Sequence, residues 1–335
     1  MLAFLLLLSG SSEGRAWNDA GHMTIARIAW DELTPTEQAS VVAILNEHPH
    51  RERLLLKGKP SSVSEQEWIF LKASVWPDYV RPPKSSTRED HSRHPIYKYH
   101  RSTWHYVNFA YTAGQKGERL PEHHLSDESN ILNELEQTMK VLVNGRRDPQ
   151  RVPKVTDAQN RAIRLAWLMH LIGDLHQPMH VVALVDRKLF PDSPHHDQGG
   201  NRLALRKDAE SPPKNLHRIW DEMFSDDSRF DQIRQQAERI ARDPALKQAT
   251  ASDLTRNLTF RDWASESYRV AKTSAYLDGK LPLVLLDPSA VKPLSDADVP
   301  IFPPEELQRA RRSAQERILL AGRRLAVKLR EVIHR

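Results

Sequence analysis

Apolar residues return every three or four positions along most of this chain, which is the spacing of one face of a helix. The pattern predicts helices over residues 21–33, 127–143, 157–175, 215–224, 230–242, 263–277 and 304–333. Thr34 and Glu37 have the spacing of a capping box and predict the start of a further helix. Convincing alternation of apolar and polar residues, the pattern of a strand, is absent. We therefore expect an all-α protein, and because no repeat or linker divides the chain, a single compact multi-helix domain.

The first eight residues are almost wholly apolar, and small polar residues follow them. A run of this length is too short to span a bilayer and is typical of the core of a signal peptide. Gly14 and Ala16 stand where signal peptidase prefers small residues, so we predict cleavage before Trp17. The mature domain would cover residues 17–335 and would be secreted or periplasmic. A frayed apolar terminus without a targeting role is the alternative.

Histidine is unusually frequent, with 16 residues in 335, whereas cysteine is absent. The absence of Cys excludes a disulfide scaffold, a thiol nucleophile and a Cys-type zinc finger, but imidazole and carboxylate groups can still bind zinc. Residues 309–335 contain nine Arg or Lys and two Glu. Such a segment can attract nucleic acid or an anionic membrane. We favour the solvated face of a terminal helix, because apolar residues recur along its other side.

Two of the predicted helices each contain a His–Asp pair at helical spacing. His170 and Asp174 are four residues apart, as are His217 and Asp221, so each pair lies on one face of its helix. Either pair alone is more often an ordinary hydrogen-bonded or ionic pair, but the recurrence favours a metal centre. Further potential ligands along the chain are His22, Asp78, His105, His180 and the mature terminus at Trp17.

The order of these fragments resembles one known family. The chain is similar to the zinc-dependent single-strand-specific nucleases of fungi and plants, which share a superfamily with bacterial zinc phospholipase C. The resemblance rests on W-N-D-A-G-H, W-P-D, H-Y-V-N, H-L-I-G-D-L-H-Q-P-M-H, G-G-N, L-H-R-I-W-D, W-A-S-E-S-Y and L-A-G-R-R-L-A, in this order. It covers nearly the whole mature chain and implies an all-α domain with long loops around a cleft that holds three zinc ions.

The resemblance also implies the ligands of each zinc. The first would be bound by Asp78, His105, His170 and Asp174, the second by His180, His217 and Asp221, and the third by the amine and carbonyl of Trp17, His22 and the other oxygen of Asp174. His176 is expected to support a ligand or the fold. The other histidines are interpreted as polar loop residues, namely His48, His50, His91, His94, His123, His124, His195 and His196.

Substrate contacts are implied by the same resemblance. Three carboxylates would leave three divalent ions with excess positive charge, which attracts a phosphodiester. Asp78 would orient or deprotonate the attacking water, and hydrolysis would leave a 5′-phosphate. Tyr106 and Asn108 stand where the family places an aromatic ring and an acid for base binding, so Asn108 leaves the base preference open. Asn201 is interpreted either as a substrate contact or as part of a tight turn.

These observations predict a secreted, monomeric zinc endonuclease acting on single-stranded RNA and DNA, with 3′-nucleotidase activity left open. A zinc phospholipase C is the rival enzyme, although that branch carries Glu at the position of Asp221 and lacks a clear equivalent of the segment from Tyr106 to Asn108. A non-enzymatic helical binding protein held together by zinc is less favoured, because structural zinc sites are normally closed and mononuclear.

Overall fold

The computed structural model describes residues 17–83, 86–87, 93–114, 119–192, 194–286 and 294–334. Its helices are α1 (Asp19–Glu32), α2 (Pro35–Leu45), α3 (Glu65–Ala73), α4 (Trp76–Tyr79), α5 (Ile131–Asn144), α6 (Asp157–His176), α7 (Leu216–Asp221), α8 (Phe230–Arg242), α9 (Pro244–Arg256), α10 (Phe260–Val270) and α11 (Pro304–Ile333). The prediction of an all-α fold is confirmed. The predicted signal peptide, residues 1–16, lies outside the described residues. None of the helices described combines the length and apolar character that a membrane span requires.

Helix α6 is the centre of the domain. It begins with a capping box, in which the Thr156 hydroxyl accepts from the Gln159 amide and the Gln159 side chain accepts from the Thr156 amide. From residue 162 to residue 176 every side chain is buried. A helix that is buried on all sides needs neighbours all round, and α6 packs against α1, α2, α3, α4, α5, α10 and α11. The His–Asp pair of α6 therefore lies inside the domain.

Helices α1 and α11 approach each other closely at Gly322. A Cβ atom at this position would lie 2.6 Å from Cβ of Ile28, so only glycine allows the two helices this separation. The contact lets α11 pack along α1 and brings the C-terminal helix against the element that carries His22.

Within the described residues four short strands accompany the helices, although the sequence predicted none. Strand β1 (Phe109–Tyr111) pairs in parallel with β2 (Val182–Leu184), and β3 (Ala204–Leu205) pairs antiparallel with β4 (Lys214–Asn215). Segments of two or three residues are too short for alternation to be visible. The parallel pair matters to the site because it joins the segment after His105 to the segment after His180.

The sequence missed helices α3 and α9 for opposite reasons. In α3 the buried residues 68–71 form a continuous apolar run, so apolar and polar residues do not recur with the period of a helix. Helix α9 buries only Leu246 and Thr250, which is too little to produce an apolar stripe. The predicted helix over 263–277 is α10 followed by a π-helical turn, Ala271–Ala275.

The basic C-terminal segment is largely neutralised by ion pairs. Its paired residues are Arg309, Arg312, Arg317, Arg323, Arg324, Lys328 and Arg330, each within 4 Å of a carboxylate. The partners of Arg323 and Arg330 are Glu32 and Glu37, which belong to α1 and α2. The positive charge of this segment therefore ties the C-terminal helix to the rest of the domain.

A buried ionic cluster holds the C-terminal end of α6. Glu266, 2% exposed, accepts from Arg324 at 2.6 and 2.7 Å and also pairs with Arg317. Arg324 donates to Nε2 of His176 at 2.8 Å, while Nδ1 of His176 donates to the Ile172 carbonyl. His176 thus faces this cluster and supports the fold. Burial alone would raise the pKa of Glu266, but the charges of the two arginines outweigh it and hold the pKa at about 2.

We expect Glu266→Gln to lower the free energy of unfolding by about 3–5 kcal/mol, because two buried guanidinium groups lose their counter-ion. The pKa of Glu266 lies below its ordinary value, so its contribution is complete above about pH 4.5 and is lost as the pH falls towards 2. Urea unfolding near pH 7 measures the effect. Glu238→Gln is the control, since it breaks an exposed pair with Arg242 worth less than about 1 kcal/mol. Equal decreases in the free energy of unfolding of the two variants would contradict the role of Glu266 as a buried counter-ion.

Candidate metal centre

His170 is oriented by a backbone carbonyl. Its Nδ1 lies 2.8 Å from the carbonyl oxygen of Ser74, and a carbonyl can only accept a hydrogen bond. Nδ1 therefore carries the proton, and Nε2 presents its lone pair to the interior of the site. His180 and His217 are held in the same way, with Nδ1 at 2.5 Å from the carbonyl of His105 and at 2.7 Å from that of Gly199, respectively. Three imidazoles are thus prepared as ligands through Nε2.

Asp174 lies between two sets of ligand-type side chains. Its Oδ1 is 3.2 Å from Nε2 of His22, whereas its Oδ2 is 2.9 Å from Nδ1 of His105 and 3.2 Å from Nε2 of His170. Oδ1 of Asp78 is 4.0 Å from the same nitrogen of His170. Two ligands of one tetrahedral zinc are about 3.3 Å apart, given bonds of about 2.0–2.1 Å. The two oxygens of Asp174 therefore face different sets of ligands.

Gly173 makes room for His22 beside Asp174. A Cβ atom at position 173 would lie 2.7 Å from Nδ1 of His22, closer than real side chains approach. The glycine therefore lets α1 bring His22 against α6, where the ring stacks on His170 with centroids 4.1 Å apart.

A second set of ligands surrounds the start of α7. Nε2 of His180 and Nε2 of His217 lie 3.1 Å apart, and since both Nδ1 atoms are protonated, two lone pairs face each other. Oδ1 of Asp221 lies 3.7 Å from Nε2 of His217 and accepts a hydrogen bond from Gln177 at 2.8 Å. Facing lone pairs next to a carboxylate repel each other unless a cation lies between them.

Burial controls the protonation of these groups. It lowers the pKa of His105 to about 4, and burial together with the nearby His180 lowers that of His217 to about 3. Burial also raises the pKa of Asp221 well above its ordinary value, since the Gln177 hydrogen bond only partly compensates. Despite the burial of both groups, the pKa of His170 is raised by Asp174 and Asp78, and His170 in turn holds the pKa of Asp174 well below its ordinary range. A metal at Nε2 of His170 would therefore displace a proton. Neutral imidazoles and an ionised Asp174 are the forms that bind metals.

The unsatisfied polar atoms of the site fit a metal ion. Among the described residues, both ring nitrogens of His22, Oδ2 of Asp78, Nε2 of His105 and Oδ1 of Asp174 are buried without a hydrogen-bond partner. Each such atom costs about 1–3 kcal/mol. Three groups of side chains place their ligand atoms within 4.8 Å of one another, namely His22, His170 and Asp174; Asp78, His105 and His170; and His180, His217 and Asp221. These donor sets suit a divalent metal.

Trp17 is held next to the segment that carries Asp221. Its side chain is completely buried, and the following Asn18 donates from its amide to the Asp221 carbonyl at 3.5 Å and from its side chain to the Ser225 carbonyl at 2.5 Å. Asn18 also caps α1 by accepting from the Gly21 amide. Residue 17 is therefore fixed between the helix that carries His22 and the helix that carries Asp221.

Arg81 was not identified from the sequence. Its guanidinium donates to Oδ1 of Asp78 at 3.1 Å, and its side chain is 19% exposed. The charge of Arg81 lowers the pKa of Asp78, of His105 and of His217, although other causes are larger. Arg81 is therefore a cation next to Asp78 whose charge is felt by both sets of ligands. The only signal in the sequence was its position three residues after Asp78.

The three predicted substrate contacts differ in their surroundings. Tyr106 and Asn108 are half-buried and lie one and three residues after His105, and the backbone amide of Asn108 donates to Oγ of Ser126 at 2.7 Å. Asn201 donates to the Gln198 carbonyl at 2.9 Å and accepts from Asn215 at 3.3 Å. The bonds of Asn201 are those of a residue that stabilises the turn.

Asp197 organises this turn and was also missed. Its carboxylate is fully buried and accepts from the amides of Leu184, Gly199 and Gly200 and from the Tyr276 hydroxyl. Burial raises its pKa to about 6 despite these bonds. Because Gly199 in turn orients His217, Asp197 supports a ligand without contacting it.

The interpretation of the remaining histidines as polar loop residues is wrong for three of them. His48, His50 and His196 are 3%, 6% and 8% exposed. Nδ1 of His50 accepts from the indole of Trp76 at 3.0 Å, and Trp76 lies two residues before Asp78. These histidines are buried by tertiary packing, which no local sequence pattern predicts.

Comparison with known proteins gives a consistent result. A family model described as S1/P1 Nuclease matches residues 17–334. Endonuclease 1 of Arabidopsis thaliana is 27% identical over 224 residues, which cover 65% of this chain and 56% of that protein. Endonuclease 4 of the same plant is 38% identical over 60 residues, which cover 18% of this chain and 16% of that protein. Because the family model spans the whole segment that carries the three ligand groups, this chain belongs to the S1/P1 nuclease family.

Proposed function

We propose that this protein is a zinc-dependent endonuclease that hydrolyses the phosphodiester bonds of single-stranded RNA and DNA and leaves 5′-phosphates. The observation that carries the proposal is Asp174, whose two oxygens face separate sets of imidazoles in a buried site. A carboxylate shared in this way suits the paired metals of phosphoesterases, and membership of a nuclease family points to nucleic acid as the substrate.

Three zinc ions would be held by the residues inferred from the sequence. The ligands are Asp78, His105, His170 and Asp174 for the first, His180, His217 and Asp221 for the second, and Trp17, His22 and Asp174 for the third. When bound, the zinc ions would polarise the phosphodiester and lower the pKa of the attacking water.

Asp78 and Arg81 would act directly on the reacting groups. Oδ1 of Asp78 is bound to Arg81, while Oδ2 has no hydrogen-bond partner among the described residues and can accept from the attacking water. Burial would raise the pKa of Asp78, but His170 and Arg81 outweigh it, so the group remains an acceptor. The partly exposed guanidinium of Arg81 would bind a phosphate oxygen through charge-assisted hydrogen bonds.

Export is part of the proposal. It rests on the apolar segment at residues 1–8 and on the small residues before Trp17. We also propose that the protein acts as a monomer.

The activity is tested with purified protein on single-stranded DNA, single-stranded RNA and phosphatidylcholine, before and after removal of metal by a chelator. We expect cleavage of both nucleic acids to 5′-phosphate ends, loss of activity with the chelator, and recovery on addition of zinc. Hydrolysis of phosphatidylcholine alone would instead support the hypothesis of a phospholipase C. If the zinc-loaded protein hydrolyses none of the three substrates, the hypothesis of a non-enzymatic binding protein is supported.

Tyr106→Ala tests recognition of the base. The ring is expected to stack on a base of the substrate, so its removal should weaken binding of single-stranded substrates by about 1–3 kcal/mol. Hydrolysis of a small phosphodiester without a base should stay nearly unchanged. KM and kcat for both substrates give the comparison, with Tyr106→Phe as the control that keeps a ring. Equal losses on both substrates would show that Tyr106 supports the fold or the metal site.

A further inference from the structure

A cavity of about 760 Å³ lies at the other end of α6, outside the metal centre. It is formed by the last turns of α5, the first turn of α6 and the connecting segment, residues 145–156. Five cationic side chains line it, together with two carboxylates: Arg146, Arg147, Arg151, Lys154 and Arg161, with Asp148 and Asp157.

The carboxylates of this cavity are already paired. Asp148 is held in a buried ion pair by Arg164, and Asp157 is bound by Arg151. In contrast, the side chains of Arg146, Arg147 and Lys154 are exposed and make no hydrogen bond or ion pair within the part of the chain that the structure describes. The positive charge of the cavity is therefore uncompensated, unlike that of the C-terminal helix.

The connecting segment holds these cations on an ordered frame. Val152 and Val155 are 7% exposed and anchor it to the core. The Asp148 carboxylate accepts from the Gln150 amide at 2.9 Å, and the guanidinium of Arg151 donates to the Val155 carbonyl at 3.1 Å. A fixed concave surface with several cations is better suited to bind phosphates than a run of solvated charges on a convex helix.

The cavity is connected to the metal centre by Arg101. Its guanidinium reaches the Gln150 carbonyl at 3.5 Å, and the short helix Ser102–His105, which follows it directly, ends at a ligand-type histidine. His170 lies thirteen positions after Asp157 on α6, which corresponds to about 20 Å. A strand held in the cleft can therefore reach the cavity only if it extends several nucleotides beyond the cleaved bond.

We infer that this cavity is a second binding site for the phosphate backbone of the substrate strand, occupied by the part of a long single strand that leaves the metal centre. The inference rests on the proposed nuclease function and extends it, because it predicts a preference for long over short substrates. Arg146, Arg147 and Lys154 would bind phosphates and would read no bases.

The test compares two triple variants with the same change of charge. Arg146→Gln, Arg147→Gln and Lys154→Gln are combined in the first. Arg234→Gln, Arg239→Gln and Lys247→Gln form the control on α8 and α9, where these side chains are also exposed and make no hydrogen bond or ion pair among the described residues. Binding of the zinc-loaded proteins to a fluorescent 30-nucleotide poly(dT) with phosphorothioate linkages, which keep the backbone charge and resist hydrolysis, is measured by anisotropy at several salt concentrations.

We expect the cavity variant to bind the long strand at least about tenfold more weakly at low salt. The slope of the logarithm of the binding constant against the logarithm of the salt concentration should be less steep by about two, because three phosphate contacts are lost. Its kcat/KM for a dinucleotide should stay within about twofold of the original protein, and the control variant should match the original in both measurements. Equal weakening in both variants, or unchanged binding in the cavity variant, would overturn the inference.

Two further outcomes separate the inference from its alternatives. If the cavity variant keeps its affinity for the strand but loses affinity for vesicles of phosphatidylglycerol and phosphatidylcholine, the cavity serves a membrane surface and the inference is wrong. If the original protein cleaves no nucleic acid, the proposed function fails, whereas the anisotropy measurement still decides whether the cavity binds a single strand.

Discussion

Asp174→Asn is expected to abolish hydrolysis of nucleic acid and to remove bound metal. One carboxylate faces His22 with Oδ1 and both His105 and His170 with Oδ2. An amide offers one neutral oxygen and a nitrogen that cannot act as a ligand in its place, so one metal site should lose its ligand and the other should keep only a weaker, neutral one. The decrease in activity should exceed the decrease of about 10–100-fold that follows when a residue supporting a metal ligand is replaced. Elemental analysis and kcat on a single-stranded substrate measure the two effects.

Asp231→Asn on α8 is the control, since its carboxylate is exposed and this helix carries none of the proposed ligands or cavity residues. It should keep both metal content and activity. An Asp174→Asn protein that is folded by circular dichroism and retains the original metal content would contradict the assignment of Asp174 as a shared ligand.

Extending the chain before Trp17 is expected to reduce the bound zinc from about three ions to about two and to remove most of the activity. The third zinc is proposed to bind the free amine of Trp17, and an amide nitrogen inside a chain has no available lone pair. The terminus cannot move aside easily, because Asn18 bonds to the carbonyls of both Asp221 and Ser225. Proteins beginning at Trp17, at Ala16 and with Met before Trp17 would be compared by elemental analysis and by kcat.

The control adds the same extra residue after Arg335, at the far end of the chain. That protein should bind as much zinc as the one beginning at Trp17. Equal zinc content and activity in the extended and mature proteins would show that the terminal amine is not a ligand, while leaving the other two sites untouched.

Much of the fold could be predicted because its long helices are locally encoded. Helix α8 and helix α11 have the bounds that their apolar spacing predicts, since each exposes one face to solvent. Helix α3 has no such polar face, and α9 has almost no apolar one. Apolar periodicity in the sequence predicts amphipathic helices, and it does not predict a helix that is buried on nearly all sides or exposed on nearly all sides.

Two pairs of candidate ligands could be proposed from spacing, because each His–Asp pair is separated by one helix turn, and the other candidates were implied by the resemblance of the motifs to one family. His170 with Asp174, and His217 with Asp221, lie on single helices and form groups with residues far away in the chain. The chemistry of imidazole and carboxylate limits what such groups can bind, so the order of the motifs was informative.

The tertiary structure alone decided which other groups support that site. The roles of Asp197 and His50 arise from contacts with Tyr276 and Trp76, which are distant in the chain. Arg81 bonds to Asp78 three residues away, a spacing too common to single it out. The unpaired cations between α5 and α6 could not be told from the paired ones of α11 by composition. By itself the sequence determined the helices with one polar face and two His–Asp pairs, because both follow from local spacing, whereas the remaining candidate ligands were implied by the resemblance of the ordered motifs to one family. Only packing decided which polar groups are buried and which charges remain without partners, because these depend on residues brought together from the whole chain.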